Sequence, residues 1–219
     1  NSFEVNTKFK INEEKIEDQL IKTKESLNCK KINVYFYHSF NDFVQYPSSL
    51  GELSTLKSTG QIKYIGVSVY ENEEFEIACT NKDIDVIQLP YNMLDNSSQR
   101  GKLLDLAKKN GKVLQARSVF LQGLFFKSVE ELPKKLAPLR PYLETINKLA
   151  EDYNVEVEHL AFQYVLNESR ISNTIIGVDS VAQLEKNISI SNRNIPKKAF
   201  EIIDKIHVNE VNLLYPKNW

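Results

Sequence analysis

The chain has 219 residues, of which 42% are apolar and 26% charged. That is enough apolar side chain for a sizeable core, and it excludes a disordered chain, a collagen and a simple coiled coil. With 28 Lys and Arg against 29 Asp and Glu and no block of like charge, a general grip on nucleic acid or on an anionic membrane is not expected.

In chain order, residues 3–7 are a short β-prone run. Asn12 is placed to cap a helix, with Glu13 and Glu14 favourable to its dipole. That helix carries Ile16, Leu20, Thr23 and Leu27 on one face. The continuous apolar run from Val34 to Tyr37 reads as a strand covered on both sides. Leu50, Leu53 and Leu56 mark the next helix, and Gly60 stands where a helix-ending glycine belongs. A strand over 62–69 precedes a short helix lined by Phe75, Ala78 and Cys79. A strand over 84–89 ends at Pro90, and Leu103, Leu104 and Ala107 mark a helix stopped by Asn110 and Gly111. A strand over 112–119 follows.

Beyond it the spacing lengthens. Pro138 and Pro141 can open a helix carrying Leu143, Ile146 and Leu149. A second helix carries Leu160, Ala161, Tyr164 and Val165. A strand over 174–178, a helix with Leu184 and Ile188 and a last helix with Phe200, Ile203 and Ile206 follow. The tail 208–219 has no periodicity and is expected on the surface, as are His159 and His207. Repeated βα units imply parallel strands with right-handed crossovers, in a doubly wound sheet or a (β/α)8 barrel. Strand starts near 3, 33, 62, 84, 112 and 174 fit six units of about 31 residues and one added helix. A complete barrel would need about 60 residues more.

Several negatives narrow the chemistry. No run of 18 apolar residues offers a membrane-spanning helix, and the opening NSFEVNTKFK lacks the apolar run of a signal peptide. Cys29 and Cys79 are isolated, which suits a reducing cytosol better than a disulfide scaffold. Three scattered histidines and the absence of HExxH give no metal site. Seven glycines form neither GxGxxG nor GxxxxGK[ST].

In both α/β architectures ligands gather at the carboxyl ends of the strands. Lys8, His38, Ser68, Tyr70, Gln88, Tyr91, Arg117, Ser118 and Gly177 stand there. A lysine held at a strand end can lower the pKa of a neighbouring phenol or acid, and a neutral imidazole can orient a carbonyl oxygen. Taken singly, Lys8 also reads as a solvated loop residue and His38 as a satisfied buried one. Gln88, in an apolar strand, needs partners for its amide: a neighbouring strand or a ligand amide.

The stretches NTKF (6–9), SLNCKKINVYFYHSF (26–40), GQIKYIGVSVY (60–70), DVIQLPYNMLD (85–95), RSVFLQGLF (117–125) and TIIGVDSVAQLEKN (174–187) carry a specific likeness. In order and spacing the chain resembles an aldo-keto reductase, from that family's third barrel strand to its C-terminus. The likeness is greatest to bacterial members with GVSVY and RSVFLQG. It implies a (β/α)8 TIM barrel, with residues 1–219 forming one domain whose first two βα units are absent from this sequence. It also implies reduction of a small-molecule aldehyde or ketone with NADPH or NADH, without a Rossmann domain.

The family's catalytic tetrad is Asp, Tyr, Lys and His. Lys8 matches its lysine and His38 its histidine; the Asp and Tyr belong to a segment before the third barrel strand, and are expected upstream of Asn1. Ser68 and Gln88 match the residues that meet the nicotinamide amide. Arg117 stands where many members stack an aromatic ring. Ser118 and the turn from Leu121 to Gly123 match the loop near the pyrophosphate, and Gly177, Ser180, Gln183 and Asn187 match the adenosine end. Members committed to NADPH place basic side chains where Gly177 and Gln183 stand, so preference for NADPH over NADH is expected to be modest. One alternative is a catalytically inactive module of this family that binds cofactor or regulates. Another is a different TIM-barrel enzyme such as a phosphate-binding isomerase, disfavoured by the lack of a glycine-rich turn at 176–180.

Overall fold

The computed structural model describes residues 4–12, 14–192 and 194–219. Phe3, in the expected first strand, and Glu13, at the expected helix start, lie outside the described residues. Two compact units divide the chain: Asn1–Leu89 with Leu106–Leu114, and Pro90–Asp105 with Gln115–Trp219.

The first unit holds four parallel strands, β1 (Asn6–Phe9), β2 (Ile32–Tyr37), β3 (Ile62–Ser68) and β4 (Val86–Pro90). Each pairs with the next in chain order, with Lys8 opposite Phe36, Phe36 opposite Gly66 and Gly66 opposite Val86. β2 behaves as its apolar run predicts. Phe36 and Val34 pack with Val86 on one face. On the other, Tyr35 and Tyr37 meet the Phe9 ring at 4.7 and 4.9 Å between centroids. A strand covered on both faces has no room for the polar alternation of an exposed sheet.

The crossovers are α1 (Ile16–Ser26), α2 (Phe40–Gln45) with α3 (Ser49–Ser58), and α4 (Asn72–Thr80). Asn12 does not cap α1. Its Oδ1 accepts from the Glu14 amide at 2.9 Å, a local turn that delays the helix to Ile16. Ile16 and Leu20 are buried, but Leu27 lies past the last turn and is 49% exposed. α2 was not legible in the apolar pattern; Ser39 caps it through the Asp42 amide. Gly60, at φ +74°, ends α3 in the left-handed conformation that favours glycine.

In the second unit the C-terminal half of β5 (Val113–Arg117) pairs in parallel with β6 (Asn173–Thr174). The expected strand over 174–178 is cut to two residues. After Ile175 donates to the Ala116 carbonyl, the chain turns toward the start of α8 (Val181–Ser191). The remaining helices are α5 (Ser97–Lys109), which runs on into the first unit, α6 (Arg140–Asp152), α7 (Val157–Leu166) and α9 (Lys197–Ile203). The strand order is β1-β2-β3-β4-β5-β6, an α/β fold with six strands of barrel type among the described residues.

Three expectations for this unit are corrected. His159 is not solvated: residues 159–165 of α7 are all buried, so that helix has no water-facing side there. On α8 the apolar residues Leu184 and Ile188 are 44% and 57% exposed, while Asn187 and Ile190 are buried. The tail is packed, with Val208, Leu214 and Tyr215 buried. The tail's aperiodic spacing follows from short 3-10 turns, whose buried positions obey no helix or strand repeat. Deep in the unit, Arg100 and Asp95 form a two-bonded ion pair at 2.7 and 2.9 Å, each almost fully buried. Among the described residues no helix is long and apolar enough to cross a membrane.

Two outcomes follow from the packing of the first unit. Burial pushes the Tyr35 and Tyr37 phenols up to about 12, against about 10 in an unfolded chain. The folded chain therefore keeps protons that the unfolded chain loses. Their contribution is intact below about pH 10 and is lost as pH rises through about 12. Urea midpoints measured upward from pH 9 should fall more shallowly for Tyr37→Phe than for the wild type. Separately, a Cβ on Gly66 would collide with the Phe36 ring and approach Val34 Cγ1 at 2.9 Å. Gly66→Ala should lower stability by about 1–3 kcal/mol, read from the same urea titration.

Candidate active site

The register of the first unit assembles its polar residues. Neighbouring parallel residues in register share a face, and the face repeats every second residue. Lys8, Phe36, Gly66 and Val86 therefore lie in one row. Two residues further toward the carboxyl ends, the same face carries His38, Ser68 and Gln88. The apolar cluster of Val34, Phe36 and Val86 forms the floor beneath them.

Lys8 reaches along this row. Its Nζ donates to Ser68 Oγ at 2.9 Å, and Ser68 Oγ donates to Gln88 Oε1 at 3.1 Å. The direction is forced at the lysine end, because an ammonium only donates. Ser68 must therefore pass its own proton toward the amide oxygen, which turns Gln88 so that Nε2 is the donor it presents elsewhere. Ser68 and Gln88 are 4% and 8% exposed, whereas Lys8 and His38 are exposed. His38 follows the last residue of β2, and its amide donates to the Phe9 carbonyl at 2.9 Å, so its backbone is tied to the end of β1.

The second unit carries a different feature. β5 ends at Arg117, whose Nη1 donates to Ser118 Oγ at 3.3 Å. The loop that follows holds Ser118, Leu121 and Gln122 at φ +59°, +45° and +51°, and Gly123 at +79°. Three non-glycine residues in the left-handed region within five positions cost about 1–3 kcal/mol each, and such strain clusters at functional sites. One tertiary bond and one turn bond hold the loop in place. The Ser118 carbonyl accepts from Asn92 Nδ2 at 3.2 Å and from the Leu121 amide at 2.9 Å, and the Leu121 side chain is fully buried.

This loop borders a cavity of about 1190 Å³ lined by Ser118, Gly123, Gly177, Gln183 and Asn187. Of the other residues expected at the cofactor, Leu121 is buried in the loop, Arg117 is partly buried at the end of β5, and Ser180 caps α8. Gln183 takes part in two bonds around that cap. Ser180 Oγ accepts from the Gln183 amide at 3.2 Å, and Gln183 Oε1 accepts from the Asp179 amide at 2.7 Å. Beside Asp179, whose acidity the sequence shows, the cavity has Glu156 and Glu158, which sequence reasoning missed. Sequence reasoning also missed that Lys186 is engaged in an ion pair with Glu158. The two partners lie on different helices 28 positions apart, so no local pattern announces them. Among the described residues there is no group of three or more His, Cys, Asp or Glu placed to hold a metal ion.

Comparison with known proteins bears on this arrangement. A model of the aldo/keto reductase family matches residues 3–208. The NADH-specific methylglyoxal reductase of Escherichia coli strain K12 is 23% identical over 202 residues, which cover 84% of this chain and 62% of that protein. Pyridoxal 4-dehydrogenase of Microbacterium luteolum is 28% identical over 151 residues, 66% of this chain and 44% of that protein. The chain thus spans no more than 62% of the length of these two relatives. The holo form of aldo-keto reductase AKR11C1 from Bacillus halodurans superposes with a TM-score of 0.72 at 17% identity, over 94% of this chain and 74% of that one.

The hydroxyl of Ser68 is the middle of the Lys8–Gln88 line, so Ser68→Ala removes one hydrogen bond from each of the two side chains. Stability should fall by about 1–3 kcal/mol, seen as a lower urea midpoint. A neutral result would mean that the line is not formed.

Proposed function

The chain belongs to the aldo/keto reductase family, and on that premise we propose that it serves an oxidoreductase reducing a small aldehyde or ketone with a nicotinamide cofactor, NADH or NADPH, in the cytosol. The observation that carries this reading is the line from Lys8 through Ser68 to Gln88 at the carboxyl ends of parallel strands. The residues present fit the cofactor. Gln88, with its Oε1 engaged by Ser68, carries an amide of the kind that pairs with a carboxamide. In the second unit, the strained loop and the cavity beside Gly177 and Asn187 offer space for a nucleotide.

In this reading a bound nicotinamide supplies the hydride, and the protein supplies position and charge. Ser68 holds the Lys8 ammonium in place by accepting one of its three N–H bonds. The fixed positive charge favours the ionised form of a phenol set beside it, so that phenol gives up its proton more readily. In the family that phenol is a tyrosine's, accompanied by an Asp; Lys8 and His38 are the two tetrad members this reading assigns. His38 holds the carbonyl oxygen through a ring N–H and keeps the carbonyl in line for reduction. Small carbonyl compounds are the substrate class to try first, in keeping with the names of the methylglyoxal and pyridoxal relatives.

The test is NAD(P)H oxidation by the full polypeptide over a panel of small aldehydes and ketones. Lys8→Met should lower kcat by about 100-fold or more, because proton donation in the transition state is lost. Cofactor Kd should move by no more than about threefold, since the lysine's role is in proton donation. Cofactor binding without turnover on any substrate would replace the enzyme reading by that of a binding module.

A further inference from the structure

The cavity beside the strained loop carries five charged side chains: Lys127 and Lys186 against Glu156, Glu158 and Asp179. The wall is therefore net acidic. Lys186 lies one position before the buried Asn187 and three after Gln183, on the stretch of α8 expected at the adenosine end. It is the cation best placed on that helix to meet an added phosphate. Its ammonium, however, already contacts the carboxylate of Glu158, which reaches across from α7. A half-exposed pair of this kind contributes little to stability. Its consequence is the charge it leaves at the cavity wall.

We propose that Glu158 is a specificity-determining residue: by holding Lys186 it turns this cavity toward NADH and against NADPH. This rests on the reading of the cavity as the adenosine end of a nicotinamide cofactor site. The 2′-phosphate of NADPH brings up to two negative charges that need Arg or Lys partners to bind tightly. To use Lys186 it must displace Glu158 or share the ammonium with it, which places two anions around one cation. Asp179 adds a further negative charge at the same wall, and its amide is already given to Gln183. The 2′-hydroxyl of NADH brings no charge and can donate to a carboxylate, so the acidic wall accepts it. Discrimination here comes from repulsion built against the wrong ligand as much as from contacts to the right one.

Equilibrium titration of the full polypeptide with NADH and with NADPH, followed by cofactor fluorescence, tests this without turnover. The wild type should bind NADH about tenfold or more tightly than NADPH, roughly 1.4 kcal/mol. Glu158→Gln removes the carboxylate's charge at almost constant shape and frees Lys186. The ratio of the two Kd values should then shift toward NADPH by about tenfold, and adding Lys186→Met to Glu158→Gln should reverse that shift. Circular dichroism melts of each variant establish that it is folded before its Kd is read. Equal affinities in the wild type, a preference for NADPH, or a Glu158→Gln ratio equal to the wild type's would each overturn the proposal. If neither cofactor binds the folded wild type, the underlying assignment of the cavity fails as well, which separates the two claims.

Discussion

The parallel register of β1 to β4 is the constraint on which the candidate site of the first unit depends. Because Lys8, Phe36, Gly66 and Val86 stand in one row, everything two residues beyond them faces the same way. A slip of one residue in any strand would turn its polar end residue to the other face and leave an apolar one in the row. Gly66 holds the register at its tightest point, where the Phe36 ring occupies the volume a side chain would need. The polar line of Lys8, Ser68 and Gln88 is thus set by apolar packing one step below it. Its hydrogen bonds add direction to a geometry that the core has already determined.

The second unit works on a different principle. Its cavity is bordered by a loop in unfavourable backbone conformations, and strain of that kind persists only where the surroundings over-determine it. They do so here. Asn92 is itself fully buried and grips the Ser118 carbonyl, and Leu121 and Leu124 anchor the loop in the core. Beneath lies α7, buried along 159–165, where the Tyr91 and Tyr164 rings stack at 5.5 Å and Tyr164 donates to Asp204 at 2.6 Å. Burial holds both phenols protonated, their pKa values raised, so the pair acts as a structural clamp and not as an acid.

Charge placement separates the two halves further. In the first unit Lys8 is aimed by a serine that carries no charge of its own. In the second, the lysine of α8 is matched by a carboxylate from α7. A cation held at a strand end favours the ionised form of an acidic group placed beside it. One paired with a carboxylate presents less net charge to its surroundings.

Sequence alone determined the alternation of strands and helices, the row of strand-end residues and the family likeness. Each is written in local features: apolar runs four to seven residues long, the helix-ending glycines at 60 and 111, and short stretches such as NTKF and GVSVY. It could not show that Asn12 closes a turn rather than a cap, because both use the same side-chain oxygen and differ only in which amide arrives. It misjudged α8, where Leu184 and Ile188 face outward and Asn187 and Ile190 inward, since periodicity reports that a face exists and not what lies against it. Only the tertiary structure decided that the tail packs, that Arg100 and Asp95 are buried together, and that Glu158 meets Lys186. The Glu158–Lys186 contact joins two helices 28 positions apart, a separation that carries no signal, and the Arg100–Asp95 pair, though local, is buried only by the packing of the folded unit.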